Sequence, residues 1–296
     1  MYGAFIIPKK KAVVQTNFKI TFENEIGKID ICGGSGGFIK CLAVEGLGIP
    51  QKEFNAVVYT NESGQRTQNA RDLPRTITIS GDLIGGQYEL SYLNKVLYLE
   101  GILTFYLGKK VRCIKARCSQ FGDPTRYGER IKNCVMQFTC DKPEFSDYVK
   151  TVMILFKRYN TFEDEFTLPC VFTGRVSEAV VHNAGDLKAE PVIKIKNLTD
   201  TTTLTPGVIV TNHTTGQHIM LNHTIKNGEE IVIDVSDRKV TSNTDGNIIT
   251  SISDDTFLDD FWIDIGENNI SVKKLDGDQD LLVTLEYSNL YVEAVY

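Results

Sequence analysis

The sequence predicts a mainly β protein of two domains, the first carrying one helix and the second built as a sandwich or jelly roll. Three observations carry this reading. Short segments of alternating apolar and polar residues recur along the chain, turn signals separate them, and the charge balance changes sign near residue 147. The 296 residues are 42% hydrophobic with a net charge of −6, enough for one or two cores and too apolar for a disordered chain. Residues 1–147 hold 20 Lys+Arg against 15 Asp+Glu, a balance of +5, whereas residues 148–296 hold 12 against 23, a balance of −11. The expected domains are therefore 1–147 and 148–296.

Taken in order, Met1 to Pro8 is apolar but precedes Lys9, Lys10 and Lys11, the reverse of a secretion signal, so export by the usual route is not expected. No apolar run approaches the roughly 20 residues that span a bilayer. Gly33-Gly-Ser-Gly-Gly37 would let backbone amides approach a phosphate. It lacks the Gly-Lys-Ser/Thr ending of a phosphate loop and leads into Phe38 to Val44, which reads as a strand, so a hairpin tip is predicted. Arg75 to Ser80 places Ile77 and Ile79 on one strand face and threonines on the other. Gln87 to Leu99 repeats Leu90, Leu93 and Leu97 at helical spacing behind Gly85-Gly86. In Cys134 to Cys140 the set Cys134, Met136, Phe138 and Cys140 alternates with Gln137 and Thr139, which makes these thiols small apolar residues on a buried face. A second helical spacing, Val149, Val152, Met153 and Phe156, marks Phe145 to Tyr159. Beyond it, Ile231 to Val235 and Leu281 to Tyr287 alternate as strands, with turns at Asn227-Gly228, Asp245-Gly246 and Asp276-Gly277.

The chemistry-bearing residues point away from catalysis. Seven cysteines, an odd number without a secretion signal, imply reduced thiols, and the spacings Cys113 to Cys118 and Cys134 to Cys140 match neither a zinc knuckle nor a redox pair. All four histidines, His182, His213, His218 and His223, lie in the acidic half, while six of the seven cysteines lie in the basic half. No nucleophile elbow occurs. His218 and His223 fall on opposite faces of a predicted strand, which keeps them from sharing a metal. Asp276-Gly-Asp-Gln-Asp280 begins like a calcium loop, but Leu281 and Tyr287 occupy that pattern's glycine and closing glutamate positions, leaving a charged turn. Asp254, Asp255, Asp259, Asp260, Asp264 and Glu267 form an acidic stretch read as a solvated face rather than a catalytic pair. Within it, alternation buries Phe261, Ile263 and Ile265 and leaves Trp262 outward, either stacking on a sugar or partner or covered by a loop. No catalytic residue, cofactor site or metal site is expected.

Several segments, in order, resemble the distal tail protein (Dit) family of long-tailed bacteriophages. In the first half these are Gly46-Leu-Gly-Ile-Pro50, Asn69-Ala-Arg-Asp-Leu-Pro-Arg-Thr-Ile-Thr-Ile-Ser-Gly81, the helix at Tyr88 to Leu99, Cys113-Ile-Lys-Ala-Arg-Cys118 and Val135-Met-Gln-Phe-Thr-Cys-Asp-Lys-Pro-Glu-Phe145. In the second they are Asn183-Ala-Gly185, Ala189 to Ile195, Thr211 to Gln217, Asn227 to Asp234 and Phe261 to Ile270. The resemblance covers nearly the whole chain and rests on the order and spacing of the pieces. Lys142 departs from it, standing where an acidic residue commonly precedes the proline, and the second half lacks the long insertions that carry carbohydrate-binding modules in some relatives. It implies a barrel-like N-terminal belt domain with one helix, followed by a galectin-like β-sandwich. It also implies a homohexameric ring at the virion tail tip, made in the bacterial host cytoplasm, that joins the tail tube protein to the tip hub or tail-associated lysin protein and can anchor receptor-binding proteins. DNA would pass through the channel without specific binding, and no membrane is implied. The other reading is a carbohydrate-binding host-recognition protein acting through the C-terminal sandwich.

Overall fold

Alternating burial along short apolar runs drives most of this chain into extended structure, which the computed structural model describes for residues 18–33, 37–61, 63–84, 87–122, 125–127, 130–160, 173–198, 206–275 and 281–294. The N-terminal lysine run, Gly85-Gly86, Cys170 and the Asp276–Asp280 run lie outside the described residues. The chain divides into two units, Met1–Tyr148 with Glu293–Tyr296, and Val149–Val292.

The strands of the first unit are β1 (Phe18–Asn24), β2 (Gly27–Cys32), β3 (Ile39–Glu45), β4 (Lys52–Val57), β5 (Arg66–Asp72), β6 (Arg75–Leu83), β7 (Gly101–Leu107), β8 (Lys110–Phe121), β9 (Thr125–Tyr127), β10 (Arg130–Lys132), β11 (Cys134–Cys140) and β12 (Phe145–Asp147). Helix α1 (Gln87–Leu97) joins β6 to β7. Seven strands run β11-β6-β3-β2-β1-β7-β8, and β8 pairs back onto β11 to close a barrel. Closure gives the alternating residues one interior to fill. Ile77 and Ile79 of β6, and Cys134, Met136, Phe138 and Cys140 of β11, are fully buried as their alternation predicts. Phe22 of β1 meets Phe138 with ring centroids 5.6 Å apart. Each such side chain contributes roughly 1.5–3 kcal/mol on burial.

The helix forms where the leucine spacing places it. Leu93, Val96 and Leu97 are buried, while Leu90 is half-buried. Its C-terminal end is tied down by Asn24, whose Nδ2 donates to the Val96 carbonyl at 2.7 Å and so satisfies one of the helix's unpaired acceptors.

The second unit contains β13 (Thr151–Asn160), β14 (Thr173–Val176), β15 (Glu178–Asn183), β16 (Val192–Asn197), β17 (Val208–Asn212), β18 (Gln217–Leu221), β19 (Glu230–Asp234), β20 (Lys239–Ser242), β21 (Gly246–Asn247), β22 (Gly266–Lys274), β23 (Leu281–Tyr287) and β24 (Leu290–Tyr291). One sheet runs β14-β13-β23-β16-β19-β20-β21 and the other β15-β22-β17-β18. Ile193, Ile195, Ile231, Ile233, Val283 and Leu285 of the first sheet share one core with Val181, Val208, Val210, Ile219, Ile270 and Val272 of the second. Two sheets joined by such a core make a β-sandwich.

Three expectations are corrected. The helical spacing over Phe145 to Tyr159 is a pair of strands, β12 and β13. A register shift between Ile154 and Phe156 buries Leu155 and Phe156 side by side, and this break in alternation mimics a helical period. The glycine run does not cap a hairpin, because β2 and β3 meet in parallel through the single pair Cys32 and Ile39. Gly33 turns the chain there at φ +82°, where an added Cβ would strike the Phe18 carbonyl. Finally, Ile265 is exposed, although Phe261 and Ile263 are fully buried. The chain turns at Gly266 (φ +88°), and the buried Asn268 amide holds that turn by accepting from the Asp264 amide at 2.9 Å and donating to the Asp264 carbonyl at 2.8 Å.

Candidate functional site

The most unusual surface of the first unit is an arm. Among the described residues, strands β4 and β5 pair only with each other, from Lys52 opposite Asp72 to Val57 opposite Arg66. Every described residue of the two strands is exposed except Val57, which is half-buried. The pairing is reinforced by Lys52 with Asp72 at 2.7 Å and Glu53 with Arg71 at 2.6 Å, both exposed ion pairs that contribute little. Three apolar residues on and beside the arm are largely exposed: Phe54 at 56%, Val58 at 71% and Ile49 at 73%. An isolated two-stranded hairpin is marginal in water.

The arm grows from a rigid base. Arg75, only 4% exposed, donates to the carbonyls of Pro143 and Gly46, each at 2.7 Å, and to that of Gly48. Its guanidinium also lies 4.5 Å from the centroid of the Phe145 ring. The Leu73 amide closes the root by donating to the Gln51 carbonyl at 2.8 Å. Arg75 thus gathers Gly46 to Pro50, the Pro74-Arg75 strand start and the Pro143 to Phe145 segment, three pieces far apart in sequence.

The barrel is least continuous between β2 and β3. Among the described residues β3 pairs with β6 along its length but meets β2 at one position, which leaves the edges of both strands facing that gap largely unpaired. Leu42 on β3 is 66% exposed. Near the same strands, Cys32 and Cys41 interact through their thiols. The hydrogen bond from Cys32 lowers the Cys41 pKa, and the same contact raises that of the buried Cys32. Burial pushes the Cys140 thiol up to about 12.

In the second unit the polar residues singled out in the sequence are mostly absorbed locally. Lys188 Nζ sits 3.9 Å from the Trp262 ring centroid, so the ring is capped from the Asn183 to Ala189 segment that the sequence places nearby only in space. Of the acidic stretch, Asp259 pairs with Arg238, and Asp255 lies 3.4 Å from His218 Nε2. His213 Nε2 contacts Ser271 Oγ at 2.7 Å. No two of these carboxylates are brought together as an acid and base pair by any contact among the described residues.

His223 behaves differently. The strand ends at Leu221, and the following loop brings His223 Nε2 to 2.9 Å from Glu229 Oε1 and 3.7 Å from Asp245 Oδ2. Glu229 is fully buried. Burial opposes its ionisation, but hydrogen bonds from Ser242 Oγ, the Lys226 amide and His223 outweigh it and hold the carboxyl below its ordinary range. The sequence gives no sign of this group, because its members come from separate turns.

Residues 184–291 match the model of the siphovirus-type tail component, C-terminal domain. No match is found among curated protein sequences. Among solved structures, the crystal structure of the SPP1 Dit protein, described as a paradigm of the hub adsorption apparatus in phages infecting Gram-positive hosts, superposes with a TM-score of 0.65 at 12% identity, over 92% of this chain and 98% of that one. The phage P2 baseplate in its activated conformation with calcium contains a chain that superposes with a TM-score of 0.52 at 10% identity, over 92% and 98%. The phage p2 baseplate with strontium gives 0.51 at 11% identity, over 91% and 97%.

Proposed function

We propose that the chain is a distal tail protein, a non-enzymatic structural component of a phage tail tip that closes into a homohexameric ring; the match of residues 184–291 to the siphovirus-type tail component domain and a fold shared over nearly the whole length with the SPP1 Dit protein support this reading. In this reading the first unit builds the ring, and the ring joins the tail tube protein to the tip hub or tail-associated lysin protein while offering sites for receptor-binding proteins. DNA passes through the ring without specific binding.

The arm carries the reading. A hairpin exposed on nearly every residue, with Phe54, Val58 and Ile49 uncovered, gains its stability from a neighbour, and a ring supplies the same neighbour to every copy. The edges of β2 and β3, largely unpaired among the described residues, offer backbone donors and acceptors to that neighbour, and assembly covers an edge that would otherwise invite aggregation. A lectin-like role through Trp262 draws no support from this geometry, because the ring face beneath Lys188 is already taken. The test is sedimentation of the full-length protein beside Phe54→Asp. The wild-type chain is expected to sediment as a ring and the variant as a folded monomer; a wild-type monomer, or an unaltered ring in the variant, contradicts the proposal.

A further inference from the structure

We propose that the second unit carries a binding site for one divalent transition cation of the zinc class, formed by His223 Nε2, Glu229 Oε1 and Asp245 Oδ2. The three donor atoms all lie within 4.8 Å of one another. Ligand atoms held about 2.0–2.1 Å from a tetrahedral zinc ion are spaced about 3.3 Å apart. The distances from His223 Nε2 to Glu229, 2.9 Å, and to Asp245, 3.7 Å, bracket that spacing.

The site is built by backbone rather than by long surface side chains. Asn222 to Ile225 delivers His223, the turn before β19 delivers Glu229, and the turn after β20 delivers Asp245. The two turns are stitched together where the Glu230 amide donates to Asn243 Oδ1 at 2.9 Å and the Asn243 amide donates to the Glu230 carbonyl at 3.1 Å. Glu229 is oriented by Ser242 Oγ on the oxygen that faces His223 and by the Lys226 amide, 2.7 Å away, on the other. Such outer partners fix a metal ligand before the metal arrives.

The donor set selects the cation. An imidazole nitrogen with two carboxylates suits zinc and its neighbours, whereas calcium takes six to eight oxygen ligands and magnesium keeps several waters. Three protein ligands leave a fourth position for water or for a group from a partner. The chain also provides its own competitor. Lys226 Nζ reaches both Asp245 oxygens, at 2.6 and 2.7 Å, and the lysine is half exposed, so it can withdraw to solvent as a cation takes its place. This site stands independently of ring formation.

Zinc chloride titrated into the full-length protein, purified without a polyhistidine tag and followed by calorimetry and thermal melting, tests the assignment. A single zinc per chain is expected, with a raised melting temperature. His223→Ala is expected to weaken zinc binding at least tenfold. Asp245→Asn, at the surface and clear of the Glu229 hydrogen bonds, is expected to do the same in a folded chain. Lys226→Met removes the competing ammonium and is expected to tighten binding. The assignment is overturned by a wild-type chain that does not bind zinc, by equal affinity in the wild-type and Asp245→Asn chains, or by weaker binding in Lys226→Met.

Discussion

At the scale of single residues, Arg75 has the largest structural consequence. Its guanidinium donates to three carbonyls contributed by two chain segments and stacks near Phe145, so truncation leaves the buried Pro143 carbonyl without this donor and releases the clip on Gly46 and Gly48. Arg75→Ala is expected to lower stability by roughly 2–4 kcal/mol, measured by denaturant unfolding. Arg75→Lys should recover only part of that loss, because an ammonium cannot present the planar fork. An equal stability for wild type and Arg75→Ala would show that the clip is incidental. The motif that contains Arg75 was legible in the sequence as a strand start after a proline, but its three partners were not. Hydrogen bonds to carbonyls leave no trace in residue identity, and the segments they join lie 27 to 68 positions away. The thiols give a second residue-scale prediction. A lowered pKa means more thiolate at a given pH, so half-buried Cys41 should be alkylated first among the described thiols as pH rises from 7 to 9. Cys140, fully buried and pushed up to about 12, should remain unlabelled until the chain unfolds. Peptide mapping after brief iodoacetamide treatment reads both, and labelling of Cys140 before Cys41 contradicts the assignment.

At the scale of elements, alternation was readable wherever one face of a strand meets a core and the other meets water. β6, β11, β19 and β23 follow this rule, and their buried residues are those the period of two selects. β13 departs from the rule because it is apolar on both faces and carries a bulge, so Val152 and Ile154 are exposed while Leu155 and Phe156 are adjacent and buried. The arm leaves no such pattern in the sequence for the opposite reason. Lys52 to Val57 and Arg66 to Asp72 have no one-sided apolar pattern, since neither face packs against the unit that carries them. Such an element should behave as the least protected part of an unassembled chain. Backbone amides of β4 and β5 are expected to exchange fast in a Phe54→Asp monomer and to become protected in the wild-type assembly. Slow exchange in the monomer would mean that the arm is stable without a neighbour.

At the scale of the whole molecule, a net charge of −6 describes neither unit, because it is the sum of a basic half and an acidic half. The division into a seven-stranded barrel and a two-sheet sandwich gives each half its own core. Two cores account for the length, and the absence of histidine before residue 182 removes the commonest general base from the first unit. Charge repartition bears on assembly as well. If contacts between copies are dominated by the uncovered apolar residues of the arm, the ring should persist at high salt, where surface ion pairs such as Lys52 with Asp72 are screened. Dissociation on raising salt alone would instead assign the contact to charge. The most direct measurement is electron microscopy of the purified full-length protein in negative stain. Closed six-fold rings are predicted, and a field of monomers at high protein concentration would contradict the central claim.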